Sequence, residues 1–212
     1  MPKLREPRKT RPAARSGPQP DRIIAGLALL GLVVAGYLTV LKLGGNQAFL
    51  CRDGSGCDIV QASRYSLLAG VPTAAWGAGL YAAVLVLSLV PQTLRRWQTA
   101  FMLVSAAVAF SIYLTYVAVA VIGATCPYCL VSGSIALLLL VTMVARRPVA
   151  PRGPTRAYAF TRLAGFGGTA GLAAVLLGAG VFAADVSAPA GYQQALAQHL
   201  ARSQAVFFGA YW

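Results

Sequence analysis

The chain has 212 residues, of which 58% are hydrophobic and only 11% charged. A soluble domain is nearer half apolar and a quarter charged, so part of this surface has to face lipid. The formal charge of +13 would point to nucleic acid in a soluble protein. Here no basic face lies on a foldable soluble segment, which sets nucleic acid aside as a partner.

Residues 1–22 form a Pro- and Arg-rich leader, expected to be disordered. It carries Lys3, Arg5, Arg8, Lys9, Arg11, Arg15 and Arg22. The apolar run behind it is too long for a signal peptide and lacks a clear small-residue cleavage site, so it reads as a retained anchor. Five apolar runs approach or exceed the roughly 20 residues that span a bilayer as a helix. They are Ile23–Leu43, Thr73–Val90, Trp97–Ile122, Cys129–Ala145 and Leu163–Ala184. None shows the two-residue alternation of a barrel strand. Gly165-Phe166-Gly167-Gly168 in the last run suits close helix packing in lipid. The fold class is therefore an all-α membrane protein. Its plan is a four-helix transmembrane bundle (23–145), a basic connection (146–162), a fifth transmembrane helix (163–184) and a final segment (185–212).

Orientation follows from Lys and Arg. With five spans, the leader, Arg95 and Arg96, and Arg146, Arg147, Arg152, Arg156 and Arg162 fall on one side. Lys42, Arg52, Arg64 and Arg202 fall on the other. The positive-inside rule then predicts a cytoplasmic N-terminus, with residues 185–212 outside the cytoplasm. Both cysteine pairs, Cys51/Cys57 and Cys126/Cys129, land on the outer, oxidising side.

Thr125-Cys126-Pro127-Tyr128-Cys129 is a C-x-x-C at the start of an apolar helix. Pro127 suits a first helical turn, and the free N–H groups of that turn favour a thiolate. Its place at the membrane surface puts it within reach of a lipid-soluble quinone ring. Cys51-Arg-Asp-Gly-Ser-Gly-Cys57 is a C-x5-C in a polar loop, where Gly54 and Gly56 predict a mobile, exposed pair suited to exchange with a partner's thiols. Residues Ser63 to Gly70 are too short to span and could lie along the interface, covering the C-x-x-C. Other readings stay open on these residues alone. The pairs could be structural disulfides of a non-catalytic membrane protein, or the four cysteines a single metal site; a closed metal site leaves the bundle without a purpose, so no metal is expected. His199 reads as a surface residue. Phe110, Tyr113 and Tyr116 recur at helical spacing, which fits helix packing or a ring pocket. Trp97 and Tyr81 fit interfacial anchors or packing residues.

Taken together, the C-x5-C loop, Ser63 six residues after its second cysteine, Gly70-Val71-Pro72 entering the second span and Cys126-Pro-Tyr-Cys129 opening the fourth resemble bacterial homologues of vitamin K epoxide reductase. The resemblance covers roughly residues 22–184. It implies a four-helix bundle around a quinone (menaquinone or ubiquinone) in the bacterial inner, cytoplasmic membrane, with a fifth helix leading to a thioredoxin-like domain. It implies that Cys51 exchanges with an extracytoplasmic thioredoxin-like protein or fused domain. Cys57 would then relay electrons to Cys126, Cys129 would stand next to the quinone, and Ser63 would help shape the ring pocket, with Phe110, Tyr113 and Tyr116 as further candidates. Animal members have an Asn near the start of the second span and a Tyr four residues after the second C-x-x-C cysteine. This chain has Thr73-Ala74 and Gly133 there, which favours quinone reduction coupled to thiol oxidation over epoxide reduction. A separate four-helix family of quinone-linked disulfide oxidases carries out the same reaction; the loop spacing and fifth helix favour the first resemblance. The apolar run Ala205 to Trp212 resembles the approach of a thioredoxin fold to its active site, predicting that the chain stops just short of a fused partner's cysteines; a short amphipathic tail is the alternative.

Overall fold

A computed structural model describes residues 21–45, 48, 49, 51, 54–91, 93–146, 156–187 and 199. The leader up to residue 20 and all of the final segment except 185–187 and 199 lie outside the described residues. His199 is exposed.

The first run folds as α1 (Arg22–Leu43), capped by Asp21, whose carboxylate accepts the Ile23 N–H at 3.2 Å. That cap satisfies one of the four donors a helix start leaves open. A short α2 (Gly56–Ala62) follows, then a 3₁₀ turn over Arg64–Ser66. A hairpin of β1 (Leu67–Leu68) and β2 (Val71–Pro72) pairs Leu67 with Pro72 and Leu68 with Val71. Helix α3 (Thr73–Leu89) comes next, then α4 (Leu94–Tyr116), which widens into a π-helical turn over Val117–Ile122. After Gly123, in the left-handed region at φ 73°, the chain reverses into α5 (Pro127–Ala145). The last helix, α6 (Arg156–Ser187), begins inside the stretch expected to be a connection. Four helices are long and apolar enough to cross a membrane: α1, α4 with its π turn, α5, and Leu163–Ala184 of α6. The apolar α3, at 17 residues, sits at the short end of the spanning range. The all-α membrane architecture read from the apolar runs is therefore what the chain forms.

The core runs through the bundle as Ala28, Val84, Val104, Leu139 and Met143, all fully buried. Large apolar side chains also cover the outside: Leu30, Val33, Leu138, Val141 and Leu176 are each more than half exposed. Water would not tolerate that surface and lipid does. Helices α1, α3, α4 and α5 pack as a four-membered ring, and α6 lies along α4. Small residues set these approaches, as expected where lipid supplies no hydrophobic drive. A Cβ on Gly31 of α1 would overlap the Tyr81 ring of α3, and one on Gly171 of α6 would press on Ala109 of α4 at 2.9 Å. Trp97, read as an interfacial anchor or packing residue, is buried and stacks on Phe101 at 5.4 Å.

The alternation of helices gathers both cysteine pairs at one end of the bundle. Arg22, Arg95, Arg96 and Arg146 collect at the other, where Arg146 bonds Asp21 at 3.1 Å and ties the end of α5 to the start of α1.

Candidate redox site

Cys51 and Cys57 form a disulfide, with Cα atoms 5.4 Å apart. The pair was expected to be mobile and exposed, and the exposure is corrected: both cysteines are buried. The cause is local. Ser55 caps α2 by accepting the Asp58 N–H at 3.4 Å, and the Asp58 carboxylate reaches back to the Gly54 N–H at 3.1 Å. This reciprocal cap starts a helix where glycines suggested none, and it sets Cys57 in the first turn. Gly56 serves close approach: a Cβ there would lie 2.6 Å from the Thr125 carbonyl oxygen. Its missing side chain lets α2 rest directly on the backbone beside the C-x-x-C.

That approach decides the site. The Cys57 and Cys126 sulfurs are 3.8 Å apart, linking residues 69 positions apart in the chain. Cys126 is the N-cap of α5 with Pro127 in its first turn, as the C-x-x-C pattern predicted. Cys126 is a buried free thiol and Cys129 an exposed one. The Cys129 thiol donates to Cys126 and holds its pKa down at about 7, helped by the backbone N–H groups of Cys129 and Tyr128; burial opposes them. A bonded pair thus stands against a free pair, with a sulfur-to-sulfur contact through which a disulfide can be exchanged.

Cys129 opens on a cavity of about 550 Å³ lined by α1, α2, α3, α4, α5, α6 and the β1–β2 cap. That size falls within the roughly 300–1,000 Å³ of small-molecule sites. Its walls are mostly apolar, with Leu80, Phe110, Leu114 and Val117 prominent and Lys42 and Gln61 at the α1–α2 edge. The widened end of α4 supplies several wall residues, a common use of π-helical turns. The main polar feature of the mid-bundle wall is Tyr81, whose hydroxyl donates to the Ser132 carbonyl at 2.7 Å and lies 3.2 Å from the Ser132 hydroxyl. Tyr81, read from the sequence as an interfacial anchor or packing residue, is buried, and its place on the cavity wall was not foreseen because its partner is 51 residues away.

The remaining pocket candidates separate. Phe110 is on the cavity wall. Tyr113 packs against Phe110 at 6.0 Å, off the wall, and Tyr116 is 65% exposed on the outside of α4. Ser63 is not on the wall either; its hydroxyl turns back to the Val60 carbonyl at 2.7 Å, while Tyr65 and Ser66 just after it do line the cavity. Ser63 to Gly70 folds into the turn and hairpin that roof the cavity, held by the Thr73 hydroxyl to the Tyr65 carbonyl (2.9 Å) and the Trp76 indole to the Leu68 carbonyl (3.2 Å). Among the described residues, no group of His, Cys, Asp and Glu is placed to hold a metal.

An all-α bundle in lipid whose two cysteine pairs meet sulfur to sulfur beside an apolar cavity belongs to the class of multi-pass membrane thiol–disulfide oxidoreductases. The chain is a member of the vitamin K epoxide reductase family, whose sequence profile matches residues 22–144. That family couples thiol–disulfide exchange to a quinone, in general together with thioredoxin-like partners.

Proposed function

We infer that this chain is a thiol:quinone oxidoreductase that oxidises a thioredoxin-like partner outside the cytoplasm and passes the electrons to a membrane quinone, menaquinone or ubiquinone. The observation that carries this reading is the 3.8 Å contact between Cys57 and Cys126, with Cys129 open to the apolar cavity.

The partner's dithiol attacks Cys51 and, through a mixed disulfide, leaves as a disulfide, with Cys51 and Cys57 reduced. The Cys57 thiolate attacks Cys126 of an oxidised Cys126–Cys129 pair, breaking that bond and releasing Cys129. Cys51 then attacks Cys57, re-forming the Cys51–Cys57 bond and freeing Cys126 as a thiolate, a good leaving group at a pKa of about 7. The outcome of this exchange is an outer pair bonded and an inner pair free. Two electrons then pass from the Cys126 thiolate and the Cys129 thiol to the quinone, which becomes a quinol by taking the Cys129 proton and one proton from solvent in place of the one Cys126 has lost, while Cys126 and Cys129 re-form their disulfide. Wall residues Phe110, Leu114 and Val117 would hold the ring and exclude water, and the Tyr81–Ser132 pair supplies a fixed polar edge.

The departures at Thr73-Ala74 and Gly133 support quinone over epoxide as the acceptor. Thr73 spends its hydroxyl on the Tyr65 carbonyl, and Gly133 packs against Ser111, where its Cβ would lie 3.5 Å away. Neither position offers the Asn or Tyr that animal members carry.

Purified protein in lipid nanodiscs, given a reduced thioredoxin-like donor and a quinone, is expected to turn over quinol. Cys129→Ala should abolish quinol formation while the protein still inserts and keeps its Cys51–Cys57 bond. No quinol from the wild-type protein would end the enzymatic reading in favour of structural disulfides.

A further inference from the structure

The family match ends at residue 144, yet the cavity does not end there. Ala174, Leu177, Gly178 and Val181 of α6 form one wall of it. Their spacing of i, i+3, i+4 and i+7 is a single helix face, so a continuous stripe of α6 is turned to the cavity. Gly178 sits against the Phe110 ring, where a Cβ would overlap it.

The cavity also has a side opening. Helices α3 and α6 both line it but scarcely touch each other. Trp76 on α3 and Leu177 on α6 line it and remain 54% and 72% exposed. At the roof this gap is bridged by the Tyr65 ring against Phe182 of α6, with centroids 5.1 Å apart. Below that bridge an apolar slot leads from the C-x-x-C to lipid.

We propose that α6 is the tail-binding wall of the quinone site: the isoprenoid chain of the quinone leaves the cavity between α3 and α6, along the face formed by Ala174, Leu177, Gly178 and Val181. This rests on the quinone reading above and deepens it. The ring is held by α3, α4 and α5, whereas preference for a long apolar tail comes from a helix outside the matched region. The α6 face is apolar, so an apolar tail gains by burial against it.

The test compares 2-methyl-1,4-naphthoquinone with the same ring carrying an isoprenoid chain, using a small dithiol as donor. Ala174→Phe should raise KM for the tailed quinone about tenfold relative to the tailless one, a loss of tail binding. Ala174→Leu, a smaller intrusion, should shift the same ratio in the same direction if the larger variant fails to insert. A tailed quinone bearing a photoreactive diazirine on its chain should label peptides within residues 163–184 of the wild-type protein. An unchanged KM ratio in both variants, or labelling confined to α1–α5, overturns the proposal. Labelling of α6 without quinol formation by the wild-type protein would leave the tail site standing and defeat the redox reading instead.

Discussion

The Cys126 sulfur takes part in both exchanges of the relay, and its surroundings set the pH at which it can act. Its pKa of about 7 comes first from the Cys129 thiol and then from N–H groups of the first turn of α5. An ordinary thiol titrates near 9. With the outer pair bonded, the thiolate absorbance near 240 nm of Cys126 should therefore rise through pH 7. Below that pH it is a thiol, a poorer nucleophile and a poorer leaving group, so inner–outer exchange should slow as pH falls. Cys129→Ala removes the largest cause and should move the titration up, whereas Cys129→Ser keeps a donor and should retain most of the depression. A titration that ignores residue 129 would contradict this account. The C-x-x-C at a helix start announced this chemistry in the sequence, because its cause lies within four residues. Tyr81 was not legible in the same way, since its role depends on Ser132 meeting it from another helix.

At the scale of elements, the decisive contact is between α2 and the turn before α5. Gly56 lies so close to Thr125 that any side chain must push α2 away. Gly56→Val should therefore separate Cys57 from Cys126 and uncouple the relay. Reduced partner would still reduce the Cys51–Cys57 bond, while electrons would no longer reach Cys126/Cys129. Trapping the protein with a thiol-reactive mass tag after mixing with reduced partner should show the outer pair reduced and the inner pair oxidised. The long apolar helices were readable because burial in lipid imposes length and composition directly. Helix α2 was not, because two glycines in a polar loop look flexible until Asp58 and Ser55 close the cap around them. The π-helical end of α4 was equally hidden: Val117–Ile122 is as apolar as the helix before it, and only the register of hydrogen bonds differs. The wall role of α6 escaped for a related reason. Its sequence reads as a separate span, and its contacts with α4 run through glycines that carry no side-chain pattern.

For the whole molecule, the segregation of charge makes orientation testable. Arg22, Arg95, Arg96 and Arg146 mark one end and the four cysteines the other. By the positive-inside rule the basic end is expected in the cytoplasm. A reporter that is active only outside the cytoplasm should work when fused after Gly123 and fail when fused after Pro91. The reverse pattern would put the cysteines on the reducing side, where a thiol oxidase has no purpose. The sequence carried this bipolar plan in its Lys and Arg distribution, and the Arg146–Asp21 pair is the one ion pair among the described residues that fastens the basic end.

Because Cys51, Cys57, Cys126, Cys129 and the cavity beside them all sit at the same end of the bundle, every electron and proton in the proposed cycle moves sideways along one membrane surface. Moving one elementary charge across 100 mV costs about 2.3 kcal/mol, but here none crosses. The two protons that complete the quinol, one from Cys129 and one from solvent, enter at the same end as the electrons. Turnover should therefore be electrically silent: it builds no voltage, and collapsing the membrane potential with an ionophore should leave its rate unchanged. Energy conservation is left to whatever reoxidises the quinol.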